Sequence, residues 1–357
     1  METIGISMKQ LFKISFKLFR GMGYSERDAT YAADVLTETN HRGVDTHGVA
    51  RIDFYHMQTL SNDKVNKDAK LEIIRDESPF LMLDAQRGLG IVMAPQAVEL
   101  ALNHASERGI CVMGIRNSNH FGAAGYYAGK CAKQGFVSMV CSNSGPTMVP
   151  FGGKQRILGN SPWSIALPGG NRHPNPIMFD MACSEVSRGK LETALREDHE
   201  VPYGWGVDEN GEACTDPSKI LFGGSLLPFG GVKGYCIAVL VELLSSMLTF
   251  SSFNEPDSSA DRINTSHFVL LMDPSRFGNL DQYKASIDDY VDKIRNSQPA
   301  TDVKEILIPG ELESRYINER SLNGMTLDMA TADMLAEIAR KTGQLSSGQD
   351  FNDMLVW

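Results

Sequence analysis

The chain lacks most of the motifs that announce a function outright. It has no G-x-G-x-x-G, so an ordinary Rossmann dinucleotide site is not supported. There is no P-loop and no HExxH, and none of the 8 histidines falls at metal-ligand spacing, so no metal site is expected. The 6 cysteines form no CxxC pair, and most lie inside apolar runs. They read as buried free thiols of a reducing compartment. No apolar run approaches the roughly 20 residues needed to span a bilayer, and the N-terminus carries no signal-type apolar region. These absences point to a cytoplasmic protein without a membrane partner. Positive charge is also scarce: 34 Lys and Arg against 44 Asp and Glu give a net charge of −10. That balance argues against general nucleic-acid binding, and it requires local cations to attract any anionic ligand. Internal repeats and low-complexity tracts are absent.

What remains is an ordinary globular composition, 42% apolar and 22% charged over 357 residues, enough for a sizeable core. The first part reads as helical. Ser7 is placed to cap a helix bearing Leu11, Phe12, Ile14 and Phe19, and Ser25 with Asp28 resembles a capping box for a second. After about residue 75, apolar runs at 80–83, 110–115, 136–141, 164–167 and 177–179 read as strands. Helical stretches near 95–107 and 121–133 separate the first three, which suggests an α/β sheet. The apolar stretch 235–250 predicts a buried helix, 265–273 a strand, 282–295 a helix and 327–341 an amphipathic helix. Residues 251–264 are polar and loop-like, with the composition of a mobile segment.

The most informative stretch runs from Arg42 through Gly43, Val44, Asp45, Thr46 and His47 to Tyr55. A helix capped by Asp45 or Thr46 and continuing to Leu60 would place His47, Arg51 and Tyr55 at i, i+4 and i+8 on one face. An imidazole exchanges protons near neutral pH, and a guanidinium grips a carboxylate through paired hydrogen bonds. Together they suit a small hydroxy or oxo acid, with Arg51 on the acid end and His47 on the neighbouring oxygen. The bland reading is a solvated polar helix face. A second segment, Arg116 to Gly122 around His120, follows a strand and opens a helix of small residues. Its free N–H groups could receive an anion or a carbonyl oxygen, or Asn119 or His120 could simply cap the helix. Gly/Ser/Asn-rich turns at Ser142–Pro146, Phe151–Gly153 and Gly159–Pro162 suit close backbone approach to a phosphate or amide. Lys190 and Lys233 are the cations for a pyrophosphate.

With these motifs in order, the chain resembles the malate/L-lactate dehydrogenase family that lacks a Rossmann fold. The similarity runs from about residue 7 to 345. It is carried by Arg42–Gly48 with Arg51 and Tyr55, Asn117–Gly122, Gly159–Pro162, Phe179–Ser184, Gly189–Lys190, Pro202–Trp205, Gly230–Tyr235 and Pro309–Glu311. The resemblance implies NAD(P)-dependent oxidation of a 2-hydroxy acid, or the reverse reduction. NAD is the favoured cofactor, although Arg188 offers a contact for a 2′-phosphate. It also implies a homodimer with its active site near the subunit interface. Carried over by motif, His47 and His120 are the catalytic candidates, and Thr46, Arg51 and Tyr55 line the substrate side. Ser142, Asn143, Asn160, Asp180, Met181, Ala182, Cys183, Ser184, Lys190, Lys233, Gly234, Pro309, Gly310 and Glu311 are the cofactor-binding candidates. The chain departs from the family pattern at Thr46, where Ser is usual and the extra methyl could narrow substrate choice. It departs more conservatively at Ser161 and Cys236, where Thr and Gly are usual.

The fold expected is α/β. Residues 1–75 form a helical N-terminal segment carrying substrate-side residues, 76–320 a non-Rossmann mixed-sheet cofactor domain, and 321–357 a C-terminal segment whose helix packs back on the first. Alternatives to a hydroxy acid dehydrogenase are a cyclic imino-acid (C=N) reductase using the same clamp, and a non-catalytic binder of small carboxylates.

Overall fold

The computed structural model describes residues 3–60, 64–251 and 264–357. Ser7 caps the Met8–Gly21 helix: its Oγ accepts the Gln10 amide proton at 3.2 Å, and Gln10 Oε1 accepts the Ser7 N–H at 3.0 Å. Ser25 caps Glu26–His41 through the Asp28 amide. Leu11, Ile14, Leu18 and Phe19 share one face of the first helix, and all are fully buried against Ala29, Ala32 and Leu36 of the second. Leu335, Ala336 and Ile338 of the C-terminal helix Met329–Lys341 enter the same core. The Thr3–Ile6 strand pairs antiparallel with Met325–Asp328, so both ends of the chain are tied together. The stretch from 327 is therefore strand first and helix only from Met329, because Asp328 caps that helix through the Thr331 amide.

The main sheet is mixed. Its seven strands lie in the spatial order Glu72–Glu77, Phe80–Asp84, Ile110–Ser118, Thr265–Met272, Val137–Ser142, Trp163–Leu167 and Ile177–Met181. Among the described residues of this sheet only Phe80–Asp84 and Ile110–Ser118 pair in parallel, joined by the Gly90–Arg108 crossover helix. The Ala124–Lys133 helix carries the chain from Ile110–Ser118 to Val137–Ser142, and Thr265–Met272 inserts antiparallel between these two. The alternation of strands and helices thus reflects crossovers, while most neighbouring strands are antiparallel. The insertion brings Ser118 and Ser142 to the same end of the sheet, beside Thr265 and His267. The residues after both strands therefore share one edge.

Several expectations need correction. The Val232–Glu242 helix, continued by a π turn over Leu243–Met247, is buried on one face only: Ala238 and Val241 enter the core, but Leu240 is 57% exposed and Phe250 85%. Four cysteines are buried, but Cys236 is exposed and Cys214 half-buried; all six are unpaired. The strand Glu72–Glu77 and the helix Glu311–Asn323 escaped the sequence reading, since the first is mostly charged and exposed throughout and the second has no buried residue. The polar stretch 252–263 lies outside the described residues.

Candidate active site

No single helix carries His47, Arg51 and Tyr55. Asp45–His47 and Val49–Arg51 are two 3₁₀ turns broken at Gly48, and the α-helix runs only from Ile52 to Thr59. The break is enforced by packing. Asn40 Oδ1 accepts the Val49 amide at 2.7 Å, and a Cβ on Gly48 would lie 2.0 Å from that same oxygen. Asn40 in turn donates to Asp45 at 2.7 Å, and Arg320 clasps the Asp45 carboxylate at 2.7 and 2.9 Å. His47 is thereby held on a rigid turn instead of a helix face.

The imidazoles nevertheless converge. His47 and His120 stack with ring centroids 5.8 Å apart, and Phe54 meets His120 edge-on at 5.7 Å. Tyr55 is fully buried and its hydroxyl lies 2.7 Å from His120 Nδ1. Thr46 Oγ1 is 3.1 Å from His47 Nδ1. Withdrawal from water, with a smaller contribution from the positive charge of Arg51, lowers the pKa of His47 from 6.5 to about 4. His120 is driven well below its ordinary value, first by burial and then by His47, Arg51 and His267. Both rings are neutral at pH 7. Arg51 itself is anchored by its Nε, which donates to Thr46 O at 2.9 Å; its guanidinium does not line the cavity described next.

That cavity has a volume of about 490 Å³ and opens beside the two histidines. Thr46, His47, Phe54, Met57 and Gln58 line one side, and Ser142–Gly145, Asn160, Pro162 and Asp180–Ala182 the other. Of the proposed cofactor contacts, Ser142, Asn143, Asn160, Asp180, Met181 and Ala182 are thus brought together. Asn143 turns its amide inward, donating to Ser246 at 2.8 Å and accepting the Ser266 amide at 2.8 Å, so its backbone is what the cavity meets. Asn160 Oδ1 accepts from Ser144 Oγ at 2.6 Å. The adjacent Ser161, at φ 40°, is held in the left-handed region by its N–H to Ser144 Oγ at 3.2 Å.

Other predicted contacts lie apart. Cys183 is buried, with its Sγ on Ser161 O at 3.1 Å, and Ser184 Oγ donates to Val186 O at 2.8 Å. Lys190 and Lys233 are exposed near helix starts and do not line the cavity. Gly234 is required by packing, since a Cβ there would meet Phe229 O at 2.4 Å. Pro309, Gly310 and Glu311 border a separate recess beside Arg172 and His173, where Glu311 pairs with Arg295 at 3.0 Å and Arg315 at 2.8 Å.

Asp180 closes the start of the Ala124–Lys133 helix. Its carboxyl accepts the Gly125 N–H, and a Cβ on Gly125 would lie 2.5 Å from Asp180 Oδ2. Burial raises this carboxyl from 3.8 to about 6; Arg42 and the Gly125 N–H oppose the rise and Glu313 adds to it. The helix expected to open directly after His120 begins only at Ala124, and neither Asn119 nor His120 caps it. Asn119 instead donates to Arg87 O at 2.9 Å and Gly88 O at 3.0 Å.

Sequence reading missed His267. It is fully buried, bridges Ser142 Oγ at 2.8 Å and Ser118 Oγ at 2.9 Å, and stacks on Phe121 at 4.2 Å. The available signal was a histidine within the apolar run 265–272. Gln58 was missed as well; its Oε1 is buried at the cavity with no hydrogen-bond partner among the described residues. Among the described residues no cluster of three or more His, Cys, Asp or Glu could hold a metal, and no helix is long and apolar enough to cross a membrane.

Comparison with known proteins identifies the family and the fold. The malate/L-lactate dehydrogenase family profile matches residues 6–336. L-sulfolactate dehydrogenase of Methanocaldococcus jannaschii is 34% identical over 93% of this chain and 95% of its own length. The structure of malate dehydrogenase from Pyrococcus horikoshii OT3 superposes with a TM-score of 0.87 at 30% identity, covering 96% of this chain and 97% of that one. The crystal structure of delta1-piperideine-2-carboxylate reductase from Pseudomonas syringae gives 0.84 at 27% identity, over 94% and 100%. The chain belongs to the malate/L-lactate dehydrogenase family.

Proposed function

We propose that this member of a hydroxy acid oxidoreductase family interconverts a small 2-hydroxy acid and its 2-oxo acid with NAD or NADP, NAD being favoured. The observation that carries the reading is the stacked pair of neutral imidazoles, 5.8 Å apart, on a cavity whose far wall is built from strand ends. Two neutral histidines beside one cavity fit a reaction that must accept a proton at neutral pH. They answer no need of a protein that merely binds carboxylates.

The far wall suits a flat ring. Pro162, Met181, Ala182, Ala123 and Gly122 present low apolar surface, and the backbone of Ser142–Gly145 is within reach for an amide. Ser142, Asn143, Asn160 and Asp180–Ala182 would hold the nicotinamide part. When bound, the nicotinamide supplies the hydride acceptor for oxidation and the donor for reduction. The protein's own part is to orient the acid and move the proton. Arg51, held through its Nε by Thr46 O, lies behind the cavity lining and would reach the substrate carboxylate with its remaining guanidinium N–H groups; the histidines border the space for the reacting oxygen. Positioning of this kind contributes several kcal/mol of barrier lowering, ~7 or more in the best cases.

The chain is further proposed to act in the cytoplasm as a homodimer. Unpaired thiols support the first, and the exposed apolar side chains Leu240, Leu243 and Leu248 support the second.

A second reading, reduction of a cyclic imino acid, is favoured by the match to delta1-piperideine-2-carboxylate reductase. One panel separates the two: malate-, lactate- and sulfolactate-type 2-oxo acids and delta1-piperideine-2-carboxylate, each assayed with NADH and NADPH by loss of absorbance. Turnover of an oxo acid supports the proposal. Turnover of the imine alone replaces it with the second reading, and no turnover of either refutes both.

A further inference from the structure

His120 Nδ1 has two neighbours. The Gly122 backbone N–H reaches it at 3.3 Å and the Tyr55 hydroxyl at 2.7 Å. An amide N–H can only donate, so this nitrogen carries a lone pair and not a proton. The Tyr55 hydroxyl must then donate as well, since the nitrogen it faces has no hydrogen to give. A neutral imidazole has one proton, and it is therefore on Nε2, at the opposite edge of the ring. We propose that Tyr55 and the Gly122 amide lock His120 as a hydrogen-bond donor to the reacting oxygen, and that His47 is the residue that exchanges the proton.

The two rings differ in what surrounds them. Tyr55 is fully buried and stays a phenol, its ionisation opposed by burial. It cannot relay a proton away from His120 without leaving a phenolate in the core. His120 thus has no vacant basic nitrogen, and the charges around it (Arg51, with His47 and His267 if protonated) all oppose its becoming cationic. His47 has no such lock. Its Nδ1 meets the Thr46 hydroxyl at 3.1 Å, which can accept the Nδ1 proton and leave Nε2 basic. In the oxidative direction the substrate O–H bond breaks, its proton passes to His47, and its electron pair becomes the carbonyl π bond as hydride leaves the same carbon. The His120 Nε2–H stabilises the partial negative charge on that oxygen throughout, and gives up nothing.

This assignment deepens the dehydrogenase reading, and its first test does not depend on activity. Nitrogen-15 correlation spectra of the histidine-labelled full chain, with His120 identified by its loss in His120→Gln, should show an unprotonated Nδ1 and a protonated Nε2 at pH 7. A protonated Nδ1 overturns the proposal whether or not any acid is turned over. In Tyr55→Phe the lock is left to the amide alone, and a share of the opposite tautomer should appear in the same spectrum. The variant should lose kcat by about tenfold, the size of one lost net hydrogen bond, with KM little changed. With a turned-over acid in hand, His120→Ala should lower kcat by ~10²–10³, as removal of an oxyanion donor does, and keep the acid limb of the pH–rate profile. His47→Gln should remove that limb. If the limb disappears with His120 and survives without His47, the roles are reversed and the proposal fails.

Discussion

His267 offers a measurement that needs neither substrate nor cofactor. The ring is fully buried between two serine hydroxyls, and desolvation lowers its pKa from 6.5 to about 3, against a smaller raising contribution from the Asn119 backbone. Between those two values the unfolded chain holds one proton that the native chain refuses, so stability falls as pH falls. A lowered histidine pKa thus contributes stability that is fully present above 6.5 and is lost progressively toward pH 3. At ~1.4 kcal/mol per pH unit, going from pH 7 to pH 5 takes away about 2 kcal/mol through this residue alone. His47 and His120 are lowered for the same leading reason and add to the acid sensitivity. Replacing His267 by Gln keeps an amide that can donate to one serine and accept from the other, while removing the titration. Urea unfolding at pH 7 and pH 5 should therefore show an acid loss about 2 kcal/mol smaller in His267→Gln than in the parent. Equal losses would mean that the ring is already charged or solvated in the native state, and the linkage would fail.

Arg51→Lys should raise KM at least tenfold for every carboxylate substrate while lowering kcat less, because an ammonium cannot make the paired hydrogen bonds; steady-state kinetics on two different acids would show it, and an unchanged KM removes the clamp. Gly125→Ala places a Cβ 2.5 Å from Asp180 Oδ2, so the cavity wall must shift; a loss of about 1–3 kcal/mol in unfolding and weaker NADH binding by fluorescence titration are expected, and wild-type values for both would show that Asp180 is free to move. All six cysteines should alkylate in the denatured, unreduced protein, each giving its own mass increment; a missing pair would reveal a disulfide.

Much of the architecture was legible because local rules and tertiary packing agree. Ser7 and Ser25 cap the helices they precede, and the apolar runs from residue 80 onward are strands, each extended a residue or more by partners in the sheet. The Ile110–Ser118 strand outlasts its apolar run because Thr265 and His267 continue to pair with its end. The failures have one origin. The composition of residues 235–250 predicts a buried helix, but composition does not distinguish a core face from an uncovered one.

The site shows the same division more sharply. His47, Arg51 and Tyr55 were chosen on the spacing of a helix that does not form, yet His47 and Tyr55 still meet at His120. Their residue types point to proton-transfer chemistry, and the geometric reason attached to them fails. The geometry comes from Asn40, 7 residues before His47 in sequence, which bonds to Val49 and to Asp45 and leaves Gly48 no room for a side chain. It also comes from the Ile52–Thr59 helix, short enough to begin after the turns and set Tyr55 on its inner face, fully buried. No periodicity in residues 42–60 could reveal a contact with residue 120, because that contact is made by a strand end held in register by residues 265–267. A motif read alone therefore nominates residues for the proposed chemistry without their geometry. Which nitrogen of His120 bears its proton is decided by a backbone amide two residues away, and only the folded chain displays it.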